Sequence, residues 1–398
     1  MRCFYYAGDL YEIKMIYLDY NATTPLDKVA QEEMARIMNM PLNPSSLHSA
    51  GRKARGLIEG ARGRIIKQVG TQEGIAIFTS SASEANALAL DPYLRDETRK
   101  EMRFSHLLLS AGEHPSILKG GRFEQKDITL IALDKNGVVN LDILGQLFAN
   151  GAYEDGETAP LVSVQYANSE TGVVQPIKEI ADIVHEKGGI LHCDAVQALG
   201  RLDVDMKAMG VDLLTLSSHK LGGPLGVGVL VSARHSLRPN AIFQGGGQER
   251  GFRAGTENVM AIAGFDAVLE ARLQNKQRNV AYMQGLRDYF EQGLKQIAPD
   301  VVIHGEKATR LCNTSCFSLA GQSAQNMLIK LDLKGFSLSA GSACSSGKLG
   351  DSHVLKAMYV AEDALKAALR MSLGIETTKE EINALLKALA EIVSGGKA

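Results

Sequence analysis

Short apolar segments alternate with stretches of helical period through the first two thirds of the chain. Seven segments are predicted to be buried strands, because several of them are apolar on both faces. They cover residues 74–80, 106–111, 128–133, 161–167, 189–195, 212–218 and 226–232. Helical spacing is found between them, in residues 82–94, 114–123, 140–149 and 177–188. This alternation predicts an α/β fold with a doubly wound, mostly parallel sheet that binds ligands at the carboxyl ends of its strands.

The pattern changes after about residue 260. Long amphipathic helices are predicted over residues 260–298 and 379–393, with a few short strands between them. We therefore predict a large domain over residues 27–270 and a smaller α+β domain formed by residues 15–26 together with residues 271–398. Residues 150–158, NGAYEDGET, are predicted to be an acidic surface loop.

Composition and charge narrow the class of partner. The 398 residues carry a formal net charge of -2, which gives no field suited to nucleic acid or to an anionic membrane surface. No window approaches the roughly 20 apolar residues that cross a bilayer. Five cysteines without a C-x-x-C pair favour a reducing compartment, so we expect a cytoplasmic protein. Residues 1–14 are interpreted as a ragged extension, with Met15 as an alternative start.

A lysine follows one of the predicted strands directly. Lys220 comes after residues 212–218 and the preceding His219, and a Gly-Gly-Pro run lies just beyond it. A lysine at the end of a buried strand is costly unless its charge is relieved, and Schiff-base formation relieves it. The alternative is a surface lysine in a loop, which these close neighbours make the weaker interpretation.

A carboxylate lies at the end of the predicted strand that precedes residues 212–218. Asp194 closes the segment 189–195, and Gln197 follows three residues later. Pyridoxal 5′-phosphate (PLP) needs a carboxylate against its ring nitrogen, since the protonated ring is the electron sink. On its own such an aspartate is more typical of a helix N-cap. His192 and Cys193 lie beside it, but adjacent strand residues point to opposite faces, so no metal site is expected.

A turn rich in small residues follows the strand 74–80. Backbone N–H groups and hydroxyls of Ser81, Ala82 and Ser83 at the start of the next helix would form an anion cradle, although ordinary helix capping has the same pattern. The sequence contains neither a G-x-x-x-x-G-K-[ST] loop nor a G-x-G-x-x-G turn that opens a helix. The phosphate of PLP is therefore favoured over that of a nucleotide.

One cysteine differs from the others in its surroundings. Cys344 lies among small residues in SLSAGSACSSGKLGDS, residues 337–352, which cannot pack a core and are expected to form a mobile loop. A thiolate that attacks a substrate sulfur and then passes it to a partner benefits from such mobility. An idle thiol there would be an oxidation liability. None of the five cysteines has a partner at metal-ligand spacing, so no metal is expected.

From Ile16 to about Ile382 the chain resembles the NifS/IscS-type cysteine desulfurases, which are class V, fold-type I PLP-dependent enzymes. The matching motifs are YLDYNATTP, NPSSLHSAGR, FTSSASEAN, EHPSIL, NSETGVVQPI, HCDAVQALG, SSHKLGGPLGVG, GGGQERGFRAGTEN, SAGSACSSG and LRMSLG. Each is weak alone, and together they are specific. The resemblance implies a fold-type I large domain that carries the cofactor.

The same resemblance implies a role for each cofactor residue. Lys220 would attach PLP and shuttle the Cα proton, Asp194 would pair with the ring nitrogen, and Gln197 with the ring hydroxyl. His114 would stack on the ring and is the candidate acid/base of the sulfur step. The residues implied to hold the phosphate are Ala82, Ser83, Ser217 and His219, with Thr256 reaching the phosphate of the other subunit, which implies a homodimer.

The resemblance also implies the substrate and the outcome of the reaction. Asn168 and Arg370 would grip the carboxylate of L-cysteine, with Asn43 assisting. The enzyme would convert L-cysteine to L-alanine and pass the sulfur, as a persulfide on Cys344, to an acceptor protein for iron–sulfur cluster assembly or tRNA thiolation. The alternatives are a selenocysteine lyase, a class V aminotransferase, which would need no Cys344, and a catalytically silent partner in sulfur assembly.

Two departures from the family pattern bear on these expectations. The phosphate turn reads SSAS where the family usually has a glycine and a threonine, a change that keeps the hydroxyls. The sequence ends at ALAEIVSGGKA, without the longer tail with which some members dock an iron–sulfur scaffold protein. The identity of the sulfur acceptor therefore stays open.

Overall fold

A seven-stranded sheet lies at the centre of the larger half of the molecule. The computed structural model describes residues 15–95, 101–149, 160–340 and 351–395. Each of the seven predicted strand segments contains one strand of this sheet. The strands, in chain order, are β1 (Ile16–Tyr17), β2 (Ile75–Thr79), β3 (Tyr93–Arg95), β4 (Glu101–Arg103), β5 (Leu107–Ser110), β6 (Ile128–Ile131), β7 (Leu161–Ser163), β8 (Ile190–Asp194), β9 (Leu213–Ser217), β10 (Gly228–Ser232), β11 (Val302–Ile303), β12 (Thr314–Ser318), β13 (Phe336–Ser337), β14 (Ser339–Ala340) and β15 (Ala368–Ser372).

The direction of these strands creates one functional edge. The order in the sheet is β2-β10-β9-β8-β7-β5-β6. Strand β10 runs antiparallel to both of its neighbours, and all the other pairings are parallel. Strands β2 and β9 therefore share a direction, and six of the seven strands have their carboxyl ends at the same edge. The predicted mostly parallel, doubly wound sheet is confirmed.

The sheet is buried on both faces. In β2, Ile75 and Ile77 belong to one core cluster, whereas Ala76 and Phe78 belong to the cluster on the opposite face. The alternation follows from the two-residue period of a strand. Because helices cover both faces, the strands are apolar throughout, which is why they were recognisable in the sequence.

Thirteen α-helices are found within the described residues. They are α1 (Lys28–Ile37), α2 (Ser49–Gln68), α3 (Ala82–Ala89), α4 (Pro115–Leu118), α5 (Leu141–Ala149), α6 (Ile177–Glu186), α7 (Met206–Met209), α8 (Val259–Gln274), α9 (Lys276–Ile297), α10 (Ala324–Leu333), α11 (His353–Ala357), α12 (Glu362–Lys366) and α13 (Lys379–Gly395), with 3₁₀ turns at Gln125–Asp127 and Gln248–Gly251. The predicted helix over residues 260–298 is thus two helices, which meet at Asn275.

Two helices are shorter than predicted. The segment 82–94 is helical only to Ala89, because Pro92 disfavours helical geometry in the residue before it, and β3 begins directly afterwards. The segment 114–123 is helical only to Leu118, since Gly120 and Gly121 take positive φ angles of 75° and 58°.

The smaller half has its own sheet and its own core. Strands β11, β12, β15 and β14 form an antiparallel sheet in that order. The rings of Phe290 in α9 and Phe317 in β12 pack with centroids 5.5 Å apart. Strand β1 pairs in parallel with β13, and Leu18 lies in the same core cluster. The N-terminal segment thus packs with the smaller half.

The exact domain limits stay a prediction. Helix α8 passes through residue 270 without a break and packs against α1 and α2 of the larger half. The interpretation of residues 1–14 and the predicted loop at 150–158 concern residues outside the described ranges. Within those ranges, no helix has the length and apolar character needed to span a bilayer.

Candidate active site

A cavity of about 220 Å³ opens at the carboxyl edge of the seven-stranded sheet. It brings together eight of the site residues predicted from the sequence: Ala82, Ser83, His114, Asp194, Gln197, Ser217, His219 and Lys220. The sequence analysis assigned no role to several others that line it, namely Asn86, Ser116, Gln165, Ala167, Ser169 and Val196. Segments far apart in the chain meet here because each follows the end of a strand.

Lys220 lies in a tight turn directly after β9. Its Nζ donates hydrogen bonds to the backbone carbonyls of Asn21 and Ala22, at 2.5 and 2.7 Å. The hydroxyl of Thr24 in turn donates to the Lys220 carbonyl at 2.9 Å. The amino group of this lysine is therefore held at the cavity by the N-terminal turn, residues 19–24. Lys220 is half-buried and lines the cavity, with its amino group bonded to backbone carbonyls, and its role stays a prediction.

Asp194 ends β8 with its carboxylate fixed on both oxygens. Oδ1 accepts a hydrogen bond from the Val196 N–H at 2.9 Å, and Oδ2 accepts one from Asn86 Nδ2 at 3.0 Å. Asp194 is 7% exposed, and Asn86, which also donates to the Ser116 hydroxyl, is 1% exposed. Each carboxylate oxygen keeps a lone pair for a further donor. No α-helix begins at Asp194, so the N-cap alternative is wrong.

The start of α3 forms the other end of a cofactor site. Ser81 caps the helix by accepting a hydrogen bond from the Glu84 N–H, which leaves N–H groups of the first turn for an anion. Strand β10 passes unusually close to this turn. A Cβ atom on Gly228 would lie only 2.3 Å from the Ser81 carbonyl carbon, so glycine is required there. The turn is shaped by backbone packing and presents donors, as a phosphate group needs.

His219 is held as a neutral imidazole. Its Nδ1 lies 3.1 Å from the hydroxyl of Thr23. Burial, and then the charge of Lys220, lower the pKa of His219 to about 4. If the Thr23 hydroxyl donates to Nδ1, the ring proton lies on Nε2, which can then donate to a phosphate oxygen.

His114 is also neutral near pH 7. Its Nδ1 accepts from the Ser116 N–H at 3.2 Å, which places the ring proton on Nε2. Burial lowers the pKa of His114, the carboxylate of Asp194 opposes that shift, and the charge of nearby Lys220 adds to it. A neutral imidazole with one free N–H can donate and later recover a proton, as an acid/base group must.

Arg370 lies in β15 with its guanidinium fully buried. Nη2 donates to Asp19 Oδ1 at 2.6 Å, and Nη1 donates to the carbonyl of Ser169 at 3.0 Å. Ser169 lines the cavity, whereas Asp19 and Arg370 do not, so this arginine bridge (Asp19, Ser169 and Arg370) contacts the cavity wall from behind through Ser169. The bridge joins the smaller half, the N-terminal turn and the loop after β7.

Besides Arg370, three predicted residues within the described ranges are not among those that line the cavity, namely Asn43, Asn168 and Thr256. Asn168 is buried, and its side chain stabilises the loop after β7: Oδ1 accepts from the N–H groups of Glu170 and Thr171, and Nδ2 donates to the Gly112 carbonyl. Its neighbour Ser169 lines the cavity instead. Adjacent side chains point in different directions. The sequence pattern therefore cannot decide whether residue 168 or residue 169 faces the cavity. The substrate-binding role of Asn168 stays a prediction.

The other two lie on the outer surface of this half of the molecule. Asn43 is exposed, and its Oδ1 accepts from the Ser45 N–H at 3.0 Å. Thr256 is exposed and lines a separate cavity with Ser80 and Gly226. A residue that contacts a second subunit must be exposed in a single subunit, and Thr256 is exposed. The role of Thr256 and the homodimer stay predictions.

Cys344 lies outside the described residues. Ser352 and His353, near the start of the next described range, contact residues that neighbour the site in sequence. The Ser352 hydroxyl donates to Glu170 Oε2, and His353 Nε2 lies 2.9 Å from the carbonyl of Glu113, the residue before His114. The predicted sulfur-accepting role of Cys344 is not tested by this geometry.

The residues that line the cavity fit PLP. Beside them, the buried His192 has a structural role. An amine, a fixed carboxylate, a helix start and neutral imidazoles supply the donor set, and Asn86 Oδ1 is buried without a hydrogen-bond partner. His192 is bracketed by the hydroxyls of Ser163 and Thr215 at 2.8 and 2.9 Å. Among the described residues there is no cluster of three or more metal-ligating side chains.

The comparisons with known proteins agree with this geometry. Residues 16–385 match the family model described as aminotransferase class-V. Curated relatives include the cysteine desulfurase IscS of Dictyoglomus turgidum, 37% identical over 95% of this chain and 94% of that protein. The cysteine desulfurase IscS 1 of Archaeoglobus fulgidus is also 37% identical, over 95% of this chain and 97% of that protein.

Solved structures give the same result. A NifS-like protein from Rickettsia africae superposes with a TM-score of 0.85 at 35% identity, covering 96% of this chain and 99% of its own. A protein named SspA, in complex with cysteine, superposes with a TM-score of 0.72 at 26% identity, covering 91% of this chain and 99% of its own. The fold and the cavity thus define a fold-type I enzyme of a PLP-dependent class. The chain belongs to the aminotransferase class-V family, and within it to the NifS/IscS-type cysteine desulfurases.

Proposed function

We propose that this protein is a PLP-dependent cysteine desulfurase that converts L-cysteine to L-alanine and retains the sulfur as a persulfide on Cys344. The observation that carries the proposal is the shared cavity of Lys220, Asp194 and the start of α3. The curated relatives named cysteine desulfurase and the SspA structure in complex with cysteine support the choice of substrate.

Each part of the cavity has a task in this reaction. When bound, PLP supplies an electron sink for the pair left on the substrate Cα. Asp194, fixed by Asn86 and Val196, would hold a proton on the ring nitrogen, and Gln197 would meet the ring hydroxyl. The N–H groups of Ala82 and Ser83, with Ser217 and His219, would bind the phosphate. The Lys220 amine would attach the cofactor and then move the proton at Cα.

The sulfur step balances without an external oxidant. The Cβ–S bond of the substrate breaks as the Cys344 thiolate bonds to the departing sulfur, and Cβ receives a proton to complete L-alanine. Arg370 would hold the substrate carboxylate, assisted by Asn43 and by Asn168 or its neighbour. His114 Nε2 is the proposed proton donor in this sulfur step.

The acceptor and the assembly are part of the same proposal. A persulfide must be passed on, so we propose a protein acceptor that serves iron–sulfur cluster assembly or tRNA thiolation. Thr256 would complete the phosphate site of a second subunit in a homodimer. Cys193, Cys312 and Cys316 are free and buried thiols, which supports a reducing, cytoplasmic environment.

The decisive experiment is alanine formation from L-cysteine without any keto acid. We expect the wild-type protein to form alanine together with a persulfide, and Cys344→Ala to lose both. Cys312→Ala is the matched control, because Cys312 is buried and burial raises the pKa of its thiol, so activity should persist. Alanine formed at the wild-type rate by Cys344→Ala would refute the proposal. A strict need for a keto acid would indicate an aminotransferase. Faster turnover of selenocysteine than of cysteine would indicate a selenocysteine lyase. A colourless protein that binds no PLP would indicate the catalytically silent partner.

A further inference from the structure

The arginine bridge contains a carboxylate that the reaction itself does not use. Asp19 is 17% exposed at its side chain, and it contacts Arg370, whose side chain is 1% exposed. The backbone of Asp19 is fixed, since its carbonyl accepts from the Tyr17 hydroxyl at 2.9 Å and from the Ala22 N–H at 3.0 Å. The carboxylate is therefore held in place before any substrate arrives.

Arg370 keeps donors that this contact does not use. A guanidinium has five N–H donors. The bonds to Asp19 and Ser169 use one on each of Nη2 and Nη1, and Nε is buried without a hydrogen-bond partner. Arg370 thus keeps hydrogen-bond donors for a second carboxylate while Asp19 stays in contact with it.

Among the described residues, Asp19 is the carboxylate that forms an ion pair with Arg370. Glu170 also lies within the electrostatic range of Arg370. Its Oε2, however, accepts a hydrogen bond from the Ser352 hydroxyl, and Glu170 forms no ion pair with Arg370 in the described part of the chain. The charge that Arg370 presents to a ligand is therefore set mainly by Asp19.

We propose that Asp19 is a positioning residue that orients Arg370 and limits how tightly Arg370 holds the carboxylate of substrate and product. The inference rests on the proposed function, in which Arg370 binds that carboxylate. A ligand carboxylate approaches a neutral ion pair instead of a lone buried cation, so its attraction is weaker. L-Alanine carries the same carboxylate as L-cysteine, and a weaker hold allows this product to leave.

The test removes the charge of Asp19 and keeps its hydrogen bond. Asp19→Asn preserves an Oδ1 acceptor for Arg370 Nη2. PLP-loaded wild-type and variant proteins are titrated with L-alanine and with L-alaninamide, a neutral isostere, and the visible spectrum of the cofactor reports binding. We expect the dissociation constant of L-alanine to fall by about tenfold, or about 1.4 kcal/mol. That of L-alaninamide should change by less than about twofold. An unchanged affinity for L-alanine, or equal shifts for both ligands, would overturn the inference.

Steady-state kinetics give a second readout. In Asp19→Asn the KM for L-cysteine should fall and product inhibition by L-alanine should strengthen, with kcat changed by less than about threefold. Asp19→Glu restores the charge and should recover wild-type discrimination between the two ligands. If Asp19→Asn does not fold, Asp19→Ser replaces it and should shift L-alanine affinity in the same direction. Asp203→Asn, which removes a carboxylate exposed at the surface, should have no effect.

A further variant separates this inference from the proposed function. Arg370→Met should lose the preference for L-alanine over L-alaninamide. If it keeps that preference, Arg370 does not bind the carboxylate, and both the assigned role and the inference are wrong. If Arg370→Met loses the preference but Asp19→Asn binds both ligands as the wild type does, the inference alone is wrong.

Discussion

The cavity wall and the arginine bridge behind it are built in different ways. The strand-end wall (Asp194, Ser217 and Lys220) is formed by residues that come directly after or at the end of neighbouring strands of one sheet. The arginine bridge joins three segments, and the contact between Asp19 and Arg370 spans 351 residues of sequence. The strand-end wall is therefore fixed by the sheet itself, whereas the arginine bridge depends on how the two halves and the N-terminal turn pack together.

The largest effect is expected from the strand-end wall. Lys220→Ala removes the amine that attaches the cofactor and moves the Cα proton, so alanine formation should fall by at least about 10⁴-fold. The visible absorbance of PLP-loaded protein should change as well. Lys187→Ala, which removes a lysine that pairs with Glu186 at the surface, is the matched control and should leave both unchanged. Substantial activity in Lys220→Ala would mean that another amine does the chemistry.

A smaller but still large effect is expected at the arginine bridge. Arg370→Met leaves Asp19 without its partner and removes the proposed carboxylate donor. We expect kcat/KM for L-cysteine to fall by roughly 10³-fold, since truncating one member of a buried charge pair costs about 2–5 kcal/mol. Arg36→Met, at a surface pair with Glu33, should change kcat/KM very little. Equal losses in the two variants would show that the bridge has no special role.

The sequence allowed the strand-end wall to be predicted and left most of the bridge unassigned. Lys220 and Asp194 each follow an apolar segment of strand length, so parallel-strand geometry alone places them at one edge. Asn21, whose carbonyl holds Lys220, and Asp19 belong to a motif recognised only by resemblance, YLDYNATTP. Their contacts lie about 200 and 350 residues away, and no local period encodes such pairing. The same limit applies to Asn168 and Ser169, where the loop after β7 decides which side chain faces the cavity.

A pH-dependent effect on stability is expected beside the bridge. Burial raises the pKa of Glu170 from 4.5 to about 7, against the Ser352 hydrogen bond and the charge of Arg370. The folded chain thus keeps a proton that the unfolded chain has released, and this carboxyl makes the fold less stable as pH rises from about 4.5 to 7. Glu170→Gln cannot ionise, so its stability relative to the wild type should rise by at most about 3 kcal/mol across that range.

Urea unfolding at about pH 5 and about pH 8 measures this difference. The exposed Glu362→Gln is the control, and its stability relative to the wild type should not follow the same course. If the relative stability of Glu170→Gln is the same at both pH values, then Glu170 ionises normally in the folded chain.

The smallest of these effects is expected at Asn86, which supports the strand-end wall from α3. Asn86→Ala removes the donor to Asp194 Oδ2 and should lower kcat/KM by about tenfold, the size of one hydrogen bond to a charged group. PLP affinity should weaken in parallel. Asn326→Ala, at an exposed position of α10, is the matched helical control. Unchanged PLP affinity in Asn86→Ala would mean that Asp194 is positioned without it.

The most direct test of the account is the site of cofactor attachment in the wild-type protein. The PLP-loaded protein is reduced with borohydride, digested, and mapped by mass spectrometry. The account predicts that the reduced cofactor is found on Lys220, in the peptide that follows β9. A reduced cofactor on any other lysine, or a loaded protein that yields no such adduct, would contradict it.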